Sequence, residues 1–565
     1  MKAVPPIRDP QRLLLTAAGA ILFLSMGYTE MAGSDLWWHI AAGRELMQTA
    51  SPWMIDQWSF PAGGGDWLNH EWLADIIFYA WTLAFGLTSL VYWKWLVVVA
   101  TFGLLQWVLW RQSGNGLAAF LAAAIAAYVA APFIDMRPHL YTLLLFSLLL
   151  VMALERQPRR LLLALLFLVW VNLHGGFFFG LMALAVLIFP WRDLSPTTFR
   201  AALITGLLCV MVATINPSGF KTFLYPLIYA FDDSSPYREL AEWRSPFEAG
   251  GIRSPTFFVL MWTPLLALLY FIPAVRRSTG IPFEAVLLTT LTLAMALTSR
   301  RFIPIFGMSL ALLLAPLLAL ALSQIRTRAL QLGFAAALLG VAVMRMLPYP
   351  LQAQPAFHYL TAEYTYPEDM LDFVERNRLR GDVYALYNWG GYMHLRTDGG
   401  LRVFIDGRAD TVYDGATYLQ YKAVASTSSG WIDLVEQTGA EFFLWSHYRR
   451  DGARKRREML ASGRWQLLYE DAVSWLAVRD GVVLPEALTL PGPSAMRNLT
   501  LGTQAARRGE FDQVLQRVRE VRREIPWQQR ACQLEIDALR RANDEVGAAR
   551  VMRDCLGYFP TAFLR

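Results

Sequence analysis

Apolar residues run in long blocks through positions 13–347 and then give way to short alternating segments. The blocks predict membrane-spanning helices near 13–31, 89–110, 117–134, 140–155, 160–174, 176–191, 199–215, 256–274, 281–299, 302–322 and 328–347, eleven in all. Several are shorter than the roughly 20 residues that span a bilayer, so their ends are soft. Residues 72–86 form one more apolar block and pose a choice. Counted as a twelfth span, they would carry Arg156, Arg159, Arg160, Arg276, Arg277, Arg326 and Arg328 to the outer side. Counted as an amphipathic helix lying on the outer surface, they leave those arginines inside with Lys2, Arg8 and Arg12. The bias of Lys and Arg toward inner loops selects eleven spans and the surface helix.

Beyond Pro348 and Pro350 the periodicity changes. Residues 366–379 read as an amphipathic helix, and 382–387 and 402–406 as strands. Residues 417–438 read as mostly helical, and 441–445, 465–469 and 472–478 as further strands. Strands alternating with helices predict a small α/β domain. A Pro-rich linker follows at 481–494, and then a pair of helical hairpins. Residues 505–518 with Pro526, and 538–550 with Pro560, each resemble a tetratricopeptide repeat. Two such repeats bury little by themselves, so this tail needs a neighbour or a protein partner. The expected organisation is a membrane domain at 1–348 with a first outer loop at 32–88, an extracytoplasmic α/β domain at 349–480, the linker, and the tail at 495–565.

Composition agrees with this division. Of 565 residues 55% are hydrophobic and 13% aromatic, and the mean hydropathy is +0.33, which excludes a soluble protein of this length. The net charge of +6 lies largely in short loops, so it reflects topology and not nucleic-acid binding. The first apolar run lacks a small-residue cleavage site and reads as a retained helix. Three cysteines form no metal-ligand pattern. Cys209 lies inside an apolar run, while Cys532 and Cys555 can form a disulfide in an oxidising compartment or stay as two thiols.

The eleven-span topology gathers unusual polar residues near the outer face: Asp35, His39, Asp56, His70, Glu71, Asp75, Lys94, Asp135, Arg137, His139, Asn172, His174, Asn216, Arg300 and Arg301. Ionisable groups at membrane depth are costly, and their convergence from several loops points to function. The stretch from Ser34 to His39 sets a carboxylate, two tryptophans and a histidine where the chain leaves the membrane.

Eight short motifs occur in order: Asp35-Leu-Trp-Trp-His39, Asn69-His-Glu-Trp-Leu73, Arg137-Pro-His139, Asn172-Leu-His-Gly-Gly176, Asn216-Pro-Ser-Gly219, Glu242-Trp-Arg-Ser-Pro246, Trp389-Gly-Gly-Tyr392 and Phe404-Ile-Asp-Gly-Arg408. With the layout of spans, surface helix and outer domain, the chain resembles the GT-C class of integral-membrane glycosyltransferases, and within it a poorly characterised bacterial group. The resemblance implies a polyprenyl-phosphate sugar as donor and an outer carboxylate as base on the acceptor. It also implies cationic residues on the departing phosphate, inversion at the anomeric carbon, and a multi-pass protein of the bacterial inner membrane. The N-terminus would lie inside and the C-terminal domains outside. Asp35 matches the first-loop carboxylate of that class by position. The chain lacks an acidic pair there, so no metal is required, although His39 or Glu71 can complete a divalent-metal site.

Each candidate has a structural alternative. Asp35 suits a general base and equally an N-cap. His39, one turn later, can orient Asp35 or simply pack. Glu71 suits a second acid or base, with His70 beside it, or a helix cap. Lys94, Arg137, Arg300 and Arg301 suit the donor phosphate, or anchor to lipid headgroups. His70, His139, His174 and Trp38 suit substrate contacts or core packing. Asp406 and Arg408 suit a buried ion pair that locks the domain, or contact with the acceptor or a glycan. Two other functions compete: a non-catalytic scaffold for envelope glycan assembly, which would tolerate loss of Asp35, and a lipid-linked-sugar transporter, which calls for inverted repeats that the chain does not show. The acceptor class (glycan, lipid or protein) is not encoded in any motif.

Overall fold

A computed structural model describes residues 4, 6, 8–30, 35–154, 159–231, 235–325, 327–362, 365–426 and 429–558. Lys2, Ser34, Arg156, Arg326 and Pro560 lie outside them. The chain divides into two compact units. The first comprises 1–32, 70–74 and 90–347, and the second 33–69, 75–89 and 348–565. The outer loop, expected to accompany the membrane half, is thus grouped mostly with the α/β domain.

The helices of the N-terminal half are α1 (Pro10–Met26), α2 (Asp35–Thr49), α3 (Trp72–Phe85), α4 (Leu90–Ser113), α5 (Gly116–Ala130), α6 (His139–Ala153), α7 (Arg160–Leu173) and α8 (Phe177–Ile188). They continue as α9 (Pro196–Val212), α10 (Phe220–Phe231), α11 (Pro255–Leu260), α12 (Pro273–Thr279), α13 (Phe283–Thr298), α14 (Ile303–Leu322) and α15 (Arg328–Met346). Local chemistry fixes several ends. The Asp9 side chain accepts from the Arg12 amide with Pro10 at the first turn of α1, and Asn115 caps α5.

Among the described residues four helical segments are long and apolar enough to cross a bilayer: Leu87–Ser113, Gly116–Phe133, Arg300–Leu322 and Arg328–Met346. A fifth is broken: Pro255–Phe271 and Pro273–Thr279 meet at 94°. Seven shorter apolar helices complete the set. Six of them, with these five, coincide with the eleven runs read from the sequence, and the seventh is α3, the expected surface helix. The chain is therefore a mostly helical polytopic membrane protein. In the first unit α14 packs along α5, whose alanines bring the backbones close. A side chain at Gly307 would press on Val129 and the Ala126 carbonyl.

The second unit is built on a five-stranded sheet. Its strands follow a small hairpin, β1 (Met54–Ile55) with β2 (Asp66–Trp67), and are β3 (Gly381–Ala385), β4 (Leu401–Val403), β5 (Phe442–Ser446), β6 (Trp465–Glu470) and β7 (Ser474–Arg479). The order is β4-β3-β5-β7-β6, with β3 parallel to β4 and β5, and β7 antiparallel to β5 and β6. Tyr384, Phe443 and Trp445, stacked in series, and Trp475, tilted against Phe443, fill its core. The outer loop extends the sheet edge: the Val403 amide donates to the Trp58 carbonyl and the Phe60 amide to the Val403 carbonyl. The remaining helices are α16 (Ala353–Leu360), α17 (Glu368–Arg376), α18 (Gly390–Thr397), α19 (Gly415–Ala425), α20 (Trp431–Gln437) and α21 (Gly452–Ala461), then the tail helices α22 (Ala495–Arg508), α23 (Phe511–Glu524), α24 (Gln529–Arg541) and α25 (Glu545–Leu556). Consecutive tail helices pack on one another, and a Cys532–Cys555 disulfide joins α24 to α25 over Ile536, Leu539 and Val551.

Candidate functional site

The first unit holds a chain of ionic contacts that starts at Glu71 and ends at His139. Glu71 Oε1 lies 3.5 Å from His174 Nε2 and 3.9 Å from His70 Nε2. His174 follows the last turn of α7, and its Nδ1 receives the Gly176 amide at 2.9 Å and faces the Thr142 hydroxyl at 2.8 Å. Trp170 in turn donates to that hydroxyl at 3.0 Å. Nδ1 accepts from the Gly176 amide, and Nε2 faces both Glu71 and Arg301. Gly176 is required here, because a Cβ would meet Thr142 and His174 at 2.1–2.9 Å.

Arg301 comes next. Its Nη2 is 3.3 Å from His174 Nε2, its Nη1 is 3.3 Å from Glu242 Oε1, and its guanidinium lies over the Trp243 ring. The other oxygen of Glu242 takes Arg137 Nη1 at 2.7 Å. Asp135 lies 4.0 Å from Arg137 and 3.4 Å from His139 Nε2, which also meets the Phe133 carbonyl at 2.7 Å. One carboxylate thus braces two guanidinium groups. Burial pushes the Glu242 carboxyl up, and Arg137 and Arg301 more than offset this, holding it down to about 2. The two arginine side chains keep 18% and 27% exposure, so a ligand can reach them.

The other phosphate candidates sit differently. Arg300 turns into the 241–250 loop, where its guanidinium donates to the Glu248, Gly250 and Ala241 carbonyls. Lys94 is fully buried in α4 and donates to the Thr29 carbonyl at 2.8 Å. Asn172 accepts from the Trp72 indole at 2.8 Å and so ties the start of α3 to α7.

The second unit holds Asp35, Trp38 and His39 on α2. Asp35 occupies the first turn, and a side chain at Gly407 would come within 2.7 Å of its Oδ1 and 3.1 Å of the Trp38 indole nitrogen. His39 Nδ1 meets Asp75 Oδ1 at 2.6 Å, and Asn69 donates to Asp75 Oδ2 at 2.7 Å, all three buried. The Trp38 and His39 rings lie tilted against each other, with centroids 3.6 Å apart. Gly391 packs its bare Cα against Trp38, so the Trp389–Tyr392 motif is a helix–helix contact. Arg408 is buried between Asp406, Asp56 and Tyr413, the ion pair read from the sequence with Asp56 added. Among the described residues no three His, Cys, Asp or Glu side chains group as metal ligands.

Sequence reasoning listed the arginines and histidines singly. It left out Glu242, which joins them, although Glu242-Trp-Arg-Ser-Pro246 was among the motifs. Thr142 and Trp170, inside apolar runs, gave no signal.

No family model and no curated protein matches the chain. Among solved structures, the crystal structure of ArnT from Cupriavidus metallidurans in the apo state is similar over 85% of this chain and 98% of that one, at 14% identity and a TM-score of 0.47.

Proposed function

We propose that the chain is an integral-membrane glycosyltransferase of the GT-C type. It moves a sugar from a polyprenyl-phosphate donor to an acceptor at the outer face of the bacterial inner membrane, with inversion. The observation that carries this reading is the pair of accessible guanidinium groups, Arg137 and Arg301, cross-braced by Glu242 beside the Glu71–His174 pair. Each guanidinium has five N–H donors, more than one carboxylate oxygen can engage, and planar forks suit phosphate oxygens. Asp35, assigned by its motif, takes the proton of the acceptor hydroxyl or amine as that atom bonds to the anomeric carbon. The bond from that carbon to the donor phosphate breaks, and the phosphate leaves with the electron pair, stabilised by Arg137 and Arg301. Glu71, beside His174, is the second carboxylate available to this chemistry.

The test is release of free polyprenyl phosphate by the purified protein, given a panel of polyprenyl-phosphate sugars and an envelope extract as acceptor. Wild type should release it, Arg301→Ala should lose about 100-fold or more, and Asp35→Asn should be inactive. Release by Asp35→Asn at the wild-type rate would transfer the base to Glu71. No release from any donor by folded protein would leave the scaffold as the better reading.

A further inference from the structure

Three of the short motifs meet inside the second unit at positions where a side-chain carbon does not fit without a shift. A Cβ on Gly390 would collide with the Cβ of Asp406. One on Gly391 would lie 2.8 Å from the Cβ of Trp38, and one on Gly407 would lie 2.7 Å from Oδ1 of Asp35. The start of α18, the first turn of α2 and the turn after β4 are thus pressed together beside the Asp35 carboxylate. Glycine permits such an approach of backbone to a functional group.

The turn that carries Gly407 is held by buried charge. Arg408 donates from Nε and Nη2 to Asp406 at 2.8–3.1 Å, and from Nη1 to Asp56 at 2.6 Å. Nη2 also donates to the Tyr413 hydroxyl at 2.9 Å. The Arg408 amide donates to Asp406 Oδ1 at 3.0 Å, which closes the turn around Gly407. The guanidinium lies over the rings of Trp58 and Trp67, 4.5 and 4.9 Å from their centroids. The three charged side chains are at most 1% exposed. Apolar side chains of similar size usually hold such a place at least as firmly, because ions lose their hydration on burial. What the ions add is direction, since a planar fork that meets two carboxylates and a hydroxyl admits one geometry. The backbone that this geometry aims is Gly407, against Asp35.

We propose that the Asp56–Arg408–Asp406 triad is a positioning device for Asp35, acting through the contact of Gly407 with the carboxylate. The inference rests on Asp35 being the base of the proposed reaction. The triad itself is sealed in the fold and acts only through the turn. Asp35 is half-buried, so its carboxylate stays reachable while Gly407 limits it on one side. A base must lie within hydrogen-bond reach of the proton it takes, and a displacement of about 1 Å can cost about 100-fold in rate. A methyl group at Gly407 must move either the carboxylate or the turn.

The test reads release of polyprenyl phosphate by the purified full chain as kcat and donor KM, with the folded fraction of each variant taken from thermal unfolding. Gly407→Ala, which leaves the triad intact, should lower kcat about tenfold to 100-fold with donor KM unchanged. Asp56→Asn, Asp406→Asn and Arg408→Met together remove every charge of the triad and nearly keep its volume. That variant should melt near the wild-type temperature and still turn over about tenfold more slowly. Gly407→Ala alone decides the question if the triple variant does not fold. Wild-type kcat per folded molecule in Gly407→Ala would overturn the proposal and leave the transferase reading in place. A loss confined to donor KM would do the same, because it would make Gly407 a donor contact. No release by folded wild type would remove the transferase reading and this inference with it.

Discussion

At the scale of single residues the most consequential side chain is one the sequence did not single out. Glu242 gives each oxygen to a different arginine, so removing its charge leaves two cations facing one another. Glu242→Gln keeps the shape and should cost about 1–3 kcal/mol, less than a fully buried pair because all three side chains remain partly exposed. The pH dependence has a definite sign. The carboxyl is held at about 2, below its ordinary 4.5, so its stabilisation is complete above about 4.5 and is lost as pH falls toward 2. The gap in thermal midpoint between wild type and Glu242→Gln should be constant from pH 7 to 5 and shrink below that. An equal gap at pH 3 and pH 7 would mean that shape and not charge is responsible. The neighbours of Glu242 were legible because each is a charge inside or beside an apolar run. Glu242 lies in a polar loop, where an acid by itself is unremarkable, and only folding brings it to Arg137 and Arg301, 105 and 59 positions away. Arg300 and Arg301 show the same limit, since adjacent arginines took separate tasks that depend on which carbonyls the loop presents.

At the scale of elements, close approach decides what is tolerated. A Cβ at Gly391 would lie 2.8 Å from the Cβ and 2.9 Å from the backbone nitrogen of Trp38, and a backbone cannot move aside as a flexible side chain can. Gly391→Ala should therefore push α18 off α2 and cost about 1–3 kcal/mol. Gly333, in α15, has nothing within 4 Å, and Gly333→Ala should be neutral or stabilising by up to about 1 kcal/mol. Thermal unfolding of the two variants side by side checks this, and equal midpoints would contradict it. Element positions were readable where an apolar run had helical length or alternated for a strand. The break after Phe271 was not, although Pro273 marks it, because a run of hydrophobic residues carries no sign of direction. Helices α18 and α21 were missed as well. So was the pairing of residues 58–60 with β4, which has no alternation of its own and exists only because a sheet edge is there to meet it.

At the scale of the whole molecule the proposed function makes a prediction about which side of the membrane each part faces. Eleven crossings with the N-terminus inside would carry residues 348–565 outward, and that number is odd only if α3 lies on the surface. Counting α3 as a crossing would reverse every later segment and leave Arg159, Arg160, Arg276 and Arg277 outside, against the usual charge bias. The Cys532–Cys555 bond closes a loop across a sequence separation of 23 between two buried cysteines, which is worth about 2–4 kcal/mol, and such bonds are rare in reducing compartments, so an outward tail suits it. Alkaline phosphatase joined after residue 558 should then be active, and the same reporter after Arg160 should be inactive. Green fluorescent protein should show the reverse pattern. Both cysteines should resist maleimide until a reductant is added, in protein extracted under acid quench. An inactive phosphatase at the C-terminal position, with freely labelled cysteines, would restore α3 as a span, put the α/β domain and the tail in the cytoplasm, and remove the outer-face donor from the proposed reaction.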